Sequence, residues 1–390
     1  MKNLVQFAGF ARLVAKAIAG SVASMSLAGL PGVAQAHEAD AIVNTAEQAL
    51  ASGRTAAALA SFEQAAATQH SAEIEMGLVR SLMQSGSYRE ALAFCAHTAG
   101  GHLDTPAAAA LYAWLLRAGG QEAFATRLLT QTLTLAPDDA VAQATRRAFA
   151  ADGQAPSGVL LDLPHRMAPQ QQMQGGQAAP LPGTRTVSTG VLLDGGQRAF
   201  VPRAAVEGAR KLWVRNGLGH TTEAVVDSGS GPLGALGLAA LRLVLPLESG
   251  AVVLAPTDPF AGSPGFVVEY SASADATPAW PTLHDGFLGA FTGRDGWRRL
   301  GIDTPPGRFG GPVFDAAGRL AGIALQGVSL QGATEAATML PVSMFRDAAS
   351  MTPDGRTPPR TAQPPASTRM AADETYERAL RVTLQVLALP

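Results

Sequence analysis

Three glycines, Gly53, Gly86 and Gly120, stand 33 and 34 residues apart, and that period constrains what the first part of this chain can fold into. Five residues beyond each glycine lies an alanine (Ala58, Ala91, Ala125), and four further on a bulkier side chain (Phe62, Cys95, Leu129). The spacing describes a repeated helix hairpin. Glycine lets the chain turn between the two helices, the alanine lets them approach closely, and the residue one turn later fills the groove. Residues 38–151 are rich in Ala, Leu and Gln and poor in β-branched residues, which favours helix. Helices are expected near 39–51 and 56–68, 72–84 and 88–98, and 105–117 and 121–134. A closing helix is expected over 138–151, with Asp138 or Asp139 near its N-cap.

This pattern resembles the tetratricopeptide repeat family, with three repeats across residues 37–151. The resemblance implies a concave surface that binds peptides or partner proteins. No clamp of Lys and Asn for a terminal carboxylate is visible on it. Cys95 reads as a small buried hydrophobe on a second helix. His70, His97 and His102 show no i, i+4 pairing, so no metal site and no cofactor are assigned.

Ahead of the repeats, Lys2, Arg12 and Lys16 flank and precede an apolar run from Ala17 to Leu30, and Ala34-Gln35-Ala36 is a small-x-small cleavage signal. Residues 1–36 are therefore expected to be a secretory signal peptide cut after Ala36. The apolar run is short for a bilayer span, and no later stretch reads as transmembrane, so no stable membrane anchor is expected after cleavage. The expected destination is periplasmic or secreted. Loss of the three signal cations takes the balance from 29 basic against 31 acidic residues to 26 against 31. With Lys211 the one lysine left, nothing points to a nucleic-acid partner. A single cysteine excludes an internal disulfide.

Residues 152–185 change character, with Gln170-Gln171-Gln172 and Gly175-Gly176-Gln177 among prolines. This composition reads as a flexible linker, within which the more apolar Gly158 to Leu163 is a candidate to dock on either domain. From Val187 short β-branched runs alternate with Gly, Pro, Asp and Ser turns, which predicts a β-barrel or sandwich over 186–350. The runs include Val191-Leu192-Leu193 before Asp194-Gly195-Gly196, Val252-Val253-Leu254, and Leu320 to Leu325. Residues 351–390 read as a Pro-rich tail and a short amphipathic helix within 373–387, docked on a partner or on the body of the protein.

The local motifs of the second half resemble bacterial trypsin-like serine proteases of the high-temperature-requirement type. Ser188-Thr189-Gly190-Val191 is similar to their opening strand, and Phe200 to Ala209 to their histidine segment, with Ala204 in the histidine column. Leu236 to Leu243 is similar to the aspartate segment, with Gly237 in the aspartate column. The run Gly307-Arg308-Phe309-Gly310-Gly311-Pro312-Val313-Phe314-Asp315 resembles the nucleophile turn, with Phe309 where serine belongs, and Leu340 to Ser343 the closing strand. The resemblance implies a double β-barrel in which nucleophile, base and orienter are all replaced, leaving Gly307, Arg308, Phe309 and Gly310 as a vestigial binding cleft. The fold expected is thus multidomain, an all-α tetratricopeptide-like repeat plus an all-β trypsin-like double β-barrel. The function expected is an exported scaffold or adaptor for other exported or envelope proteins or peptides, catalytically inactive. The alternatives are a divergent endopeptidase with a displaced triad drawn from His220, His284, Asp227, Asp285, Asp295, Ser228, Ser230 and Ser329, or a pseudo-protease that regulates an active relative.

Overall fold

The computed structural model describes residues 32–151, 155–228, 231–250, 252–292, 296–304, 309–325, 337–350 and 369–390. The signal-peptide residues 1–31 lie outside this set. The cleavage signal Ala34-Gln35-Ala36 falls within the first helix.

Among the described residues seven helices come first: α1 (Gly32–Ala51), α2 (Thr55–Thr68), α3 (Ala72–Ser85), α4 (Tyr88–Gly101), α5 (Pro106–Ala118), α6 (Glu122–Leu135) and α7 (Ala140–Ala150). They follow the expected hairpins closely, and the repeat explains why. Gly53, Gly86 and Gly120 all adopt left-handed backbone, with φ of 78°, 83° and 85°. That conformation ends one helix and frees the next. Ala58, Ala91 and Ala125 are fully buried between paired helices, with Phe62, Cys95 and Leu129 beside them. Asp139 caps α7 by accepting from the Ala142 N–H at 2.7 Å. Burial, with Glu75 adding to it, pushes the Cys95 thiol well up, as an inert core cysteine requires.

Two rings of strands follow. The first comprises β2 (Arg185–Leu193), β3 (Arg198–Pro202), β4 (Lys211–Asn216), β5 (His220–Val226), β6 (Leu238–Leu243) and β13 (Thr383–Leu389). The order β5-β4-β13-β2-β3-β6 closes through a β5–β6 pairing. The second closes as β10-β11-β12-β9-β8-β7, from β7 (Ser263–Glu269), β8 (Thr282–Phe291), β9 (Arg298–Ile302), β10 (Pro312–Asp315), β11 (Leu320–Leu325) and β12 (Thr338–Pro341). Val252-Val253-Leu254, expected as a strand, makes only an isolated bridge from Leu254 to Leu320. Two four- and five-residue helices, α8 (Arg203–Val206) and α9 (Gly231–Ala235), sit between strands of the first ring. Helix α10 (Val342–Ser350) follows β12, and α11 (Ala372–Val382) precedes β13. No helix of the described residues is long and apolar enough to cross a membrane.

Two expectations need correction. The C-terminal segment is not a helix over 373–387 alone. After Val382 the chain extends into β13, which lies between β2 and β4 and pairs antiparallel with both. The alternation Leu384, Val386 that suggested an amphipathic helix is equally a strand period, and the ladder decides it. The first barrel therefore needs residues far beyond 350. Of residues 152–185, expected as a flexible linker, 155–184 instead run against the array. Leu160 and Met167 are buried, Thr145 of α7 donates to the Met167 sulfur at 3.6 Å, and the Gln170 N–H donates to Gln84 Oε1 of α3 at 2.9 Å. The segment then adds β1 (Gln172–Met173) in parallel to the start of β5. The chain's own segment thus covers part of α3 and α7.

Helix α11 fastens array to barrels. The Tyr88 and Tyr376 rings meet edge to face at 4.5 Å. Tyr88 donates to the Leu115 carbonyl at 3.0 Å and Tyr376 to the Pro281 carbonyl at 2.8 Å. Arg381 donates to the Ser85 carbonyl at 2.7 Å, and the Arg89 N–H to Glu377 at 2.9 Å. Burial raises the phenol pKa of Tyr88, Tyr270 and Tyr376 well above the usual value. Because an unfolded tyrosine ionises near pH 10, these phenols contribute stability that is present below about pH 10 and is lost as pH rises beyond it. An alkaline titration followed by tyrosinate absorbance is expected to show a steep, cooperative step coincident with loss of far-ultraviolet dichroism. Gradual ionisation of a still-folded chain near pH 10 would refute the burial.

Candidate functional site

Strand β3 ends at Pro202 (φ −58°), and the chain turns into α8. The Arg203 N–H donates to the Gly237 carbonyl at 2.9 Å, which sets Ala204 beside Gly237. Both are exposed, and a Cβ placed on Gly237 would meet nothing within 4 Å. From the second barrel, the Phe309 carbonyl accepts from the Thr189 N–H of β2 at 3.0 Å, and the Gly310 N–H donates to the Ala324 carbonyl at 2.7 Å. Gly310 has φ 92°, and a Cβ there would fall 2.1 Å from the Thr189 carbonyl oxygen and 2.7 Å from Pro202. Only glycine permits that approach. The turn is thereby pressed against β2 and the end of β3, two residues before Ala204.

The side chains of Ala204, Gly237 and Phe309 are a methyl group, a hydrogen and a benzyl group. None donates a nucleophile, takes a proton or orients a base. Gly307 and Arg308, assigned with Phe309 and Gly310 to a vestigial cleft, lie outside the described residues. Beside α8 a cleft of about 450 Å³ opens between Arg203, Val206, Val226 and Leu238, with an Arg203–Glu207 ion pair of 3.3 Å at its rim. Val225, Val226 and Val244 are exposed nearby.

Two pairings among the described candidate replacement groups are held apart by the strands that carry them. His220 and Asp227 stand at opposite ends of β5, about 20 Å apart at the usual rise. His284 and Asp285 are consecutive in β8, so they project to opposite faces. Asp295, Ser230 and Ser329 lie outside the described residues. Burial lowers the His220 pKa, partly opposed by Glu248; its strand neighbour is Gln172 of β1. One group that the sequence did not assemble is brought together elsewhere: His70, Glu75 and His102, at the start of α3 and the end of α4. Their spacing follows no metal motif, and only the repeat's three-dimensional stacking unites them.

Among known proteins, residues 49–115 match the tetratricopeptide repeat family. No curated protein matches the chain. Similar solved structures include the HtrA-type protease AlgW with decapeptide, at 20% identity over 42% of this chain and 50% of that one, TM-score 0.35. A serine endoprotease from Yersinia pestis shares 16% identity over 44% of this chain and 65% of its own, TM-score 0.33. The Rv3671c protease in its inactive form shares 18% over 42% of this chain and 83% of its own, TM-score 0.34. The chain thus spans half to just under two thirds of the first two. The fold assignment rests on strand pairing: residues 49–115 carry tetratricopeptide repeats, and the two closed antiparallel barrels that follow form a trypsin-like double barrel.

Proposed function

We propose that the chain is an exported protein-binding scaffold in which a tetratricopeptide array is fused to a trypsin-like double barrel that no longer cuts. The carrying observation is the identity of three side chains. By the sequence resemblance Ala204, Gly237 and Phe309 stand in the base, orienter and nucleophile columns of such proteases, and none carries a group that can serve. A barrel without chemistry but with its cleft intact retains an extended segment of another exported protein instead of hydrolysing it, and repeat arrays are binding modules. The signal-like residues 1–36 support the exported setting. The covered part of α3 and α7 argues that the array holds its own barrels in place, so that partners meet the remaining surface of a single body.

Purified chain is expected to release no fluorescence from labelled casein above a buffer blank, beside an active trypsin control. Phe309→Ser is expected to stay equally inactive, since a serine without its base remains a weak nucleophile. Cleavage that follows the wild-type protein through a sizing column would overturn the inactive reading. Failure of full-length chain to retain any envelope protein in a cross-linked pull-down would overturn the scaffold.

A further inference from the structure

Helix α3 begins with an arrangement that the scaffold does not use. Ser71 caps it, its hydroxyl accepting from the Ile74 N–H at 3.3 Å, which places His70 just outside the first turn and Glu75 within it. His102 follows α4 and returns to the same point because the second hairpin closes there. His70 Nε2 lies 2.8 Å from Glu75 Oε1, and His102 Nε2 lies 3.5 Å from Glu75 Oε2. The His70 and His102 rings are 4.6 Å apart. One donor atom from each of the three residues falls within 4.8 Å of the others.

Burial gives this arrangement its meaning. Glu75 is 4% exposed, and both its Oε2 and His102 Nε2 are shut from solvent without a hydrogen-bond partner. A buried polar atom left unsatisfied costs about 1–3 kcal/mol, more when charged. Two such atoms 3.5 Å from each other, with a third donor within 4.8 Å of both, are satisfied together by a cation.

We propose that His70, Glu75 and His102 form a binding site for a divalent transition-metal ion, zinc in the first instance. Two imidazoles and one carboxylate suit zinc and its neighbours, whereas calcium and magnesium take oxygen donors. Bonds of about 2.0–2.2 Å at tetrahedral angles set donors roughly 3.3–3.6 Å apart. The Glu75–His102 pair already has that separation. His70, with a side chain 64% exposed, is the donor free to move. The site leaves a fourth position open toward solvent. Because the ligands come from both ends of the second helix hairpin, a bound ion fastens the turn after α4 to the start of α3, and so stiffens the middle repeat.

Equilibrium dialysis of untagged, chelator-stripped full chain against zinc is expected to leave one ion bound per chain and to raise the melting midpoint. Glu75→Gln and His102→Ala are each expected to weaken binding by at least about 100-fold and to remove the melting shift. His70→Ala, at an exposed position that leaves the fold intact, is expected to do the same. Cobalt in place of zinc is expected to show the absorption bands of a tetrahedral ion. No retained zinc, or zinc retained equally by His70→Ala and by wild type, would overturn the site.

Discussion

Deleting residues 369–390 is expected to abolish folding of the barrel half and to leave an insoluble or protease-sensitive chain. The segment looks like a tail in sequence, yet β13 is an interior strand of the first barrel, hydrogen-bonded on both edges. Tyr376, Ala379, Leu380, Leu384, Val386 and Leu387 are fully buried. Burial of each large apolar side chain is worth about 1.5–3 kcal/mol, so four or five of them together are comparable to the 5–15 kcal/mol that typically separates folded from unfolded chains. The same deletion removes Tyr376 from Tyr88 and Arg381 from Ser85, and so releases the array. A single Leu384→Asp substitution, which puts a charge at a fully buried ladder position, is expected to lower the melting midpoint steeply. A truncated chain that melts cooperatively at the wild-type temperature would show that the barrel closes without β13. There is also a kinetic consequence. Strands β2 and β13 lie at opposite ends of the barrel sequence, so the first barrel cannot close until residues 383–389 are in place, and long-range closure of this kind is slow.

The sequence made the helical half legible because its signals are local. A glycine at a left-handed turn and an alanine at a close helix crossing each act through neighbours a few residues away, and their period fixed both hairpin boundaries and buried columns. The tight turn at Gly310 was legible for a related reason. Gly310 is confined by backbone atoms of β2, and that restraint is written as Gly-Gly-Pro whether or not a nucleophile precedes it. What stayed hidden depends on contacts distant in sequence. Gln170 reads as disorder until Gln84 meets its N–H. Leu384 and Val386 fit helix or strand equally until β2 and β4 flank them. Glu75 reads as an ordinary first-turn acid until His102 returns beside it.

The interlocking of the two halves bears on the scaffold reading. Hydrophobic core runs without interruption from Met83 and Leu111 in the array to Val214, Leu380 and Ile323 in the barrels. A linker that carries no buried side chains lets domains move independently; here Met167, Gln170 and α11 tie them. Partner capture by this protein is therefore expected to be capture by one rigid surface, with the two halves set in fixed relation.

Arg215→Ala is expected to destabilise the chain by several kcal/mol, at about 1–3 kcal/mol for each buried acceptor left without its donor. Arg215 is fully buried, and one guanidinium joins four segments. It donates to Thr221 of β5 at 3.1 Å, to the Ala276 carbonyl at 2.8 Å, to Gln385 of β13 at 2.9 Å, and to Gln171 beside β1. All these acceptors are neutral, so hydrogen bonds, not an ion pair, hold the charge. Burial accordingly lowers its pKa to about 10, with the Tyr270 phenol opposing the shift. A base whose folded pKa is depressed favours the unfolded chain while it is charged in both states. The cost is full below about pH 10 and is relieved as pH rises from there toward the unfolded value, opposite in sign to the buried tyrosines. Arg215→Met removes the charge and keeps much of the volume, so it is expected to cost clearly less than Arg215→Ala, although Gln385 and Gln171 lose their donor in both. Urea titrations of the two variants, with Gln385→Ala to complete a double-mutant cycle, separate these contributions. Equal costs for Ala and Met would assign the loss to the hydrogen bonds. A cost under about 1 kcal/mol for Arg215→Ala would mean that the strand ladders alone hold linker, barrel and C-terminal strand together.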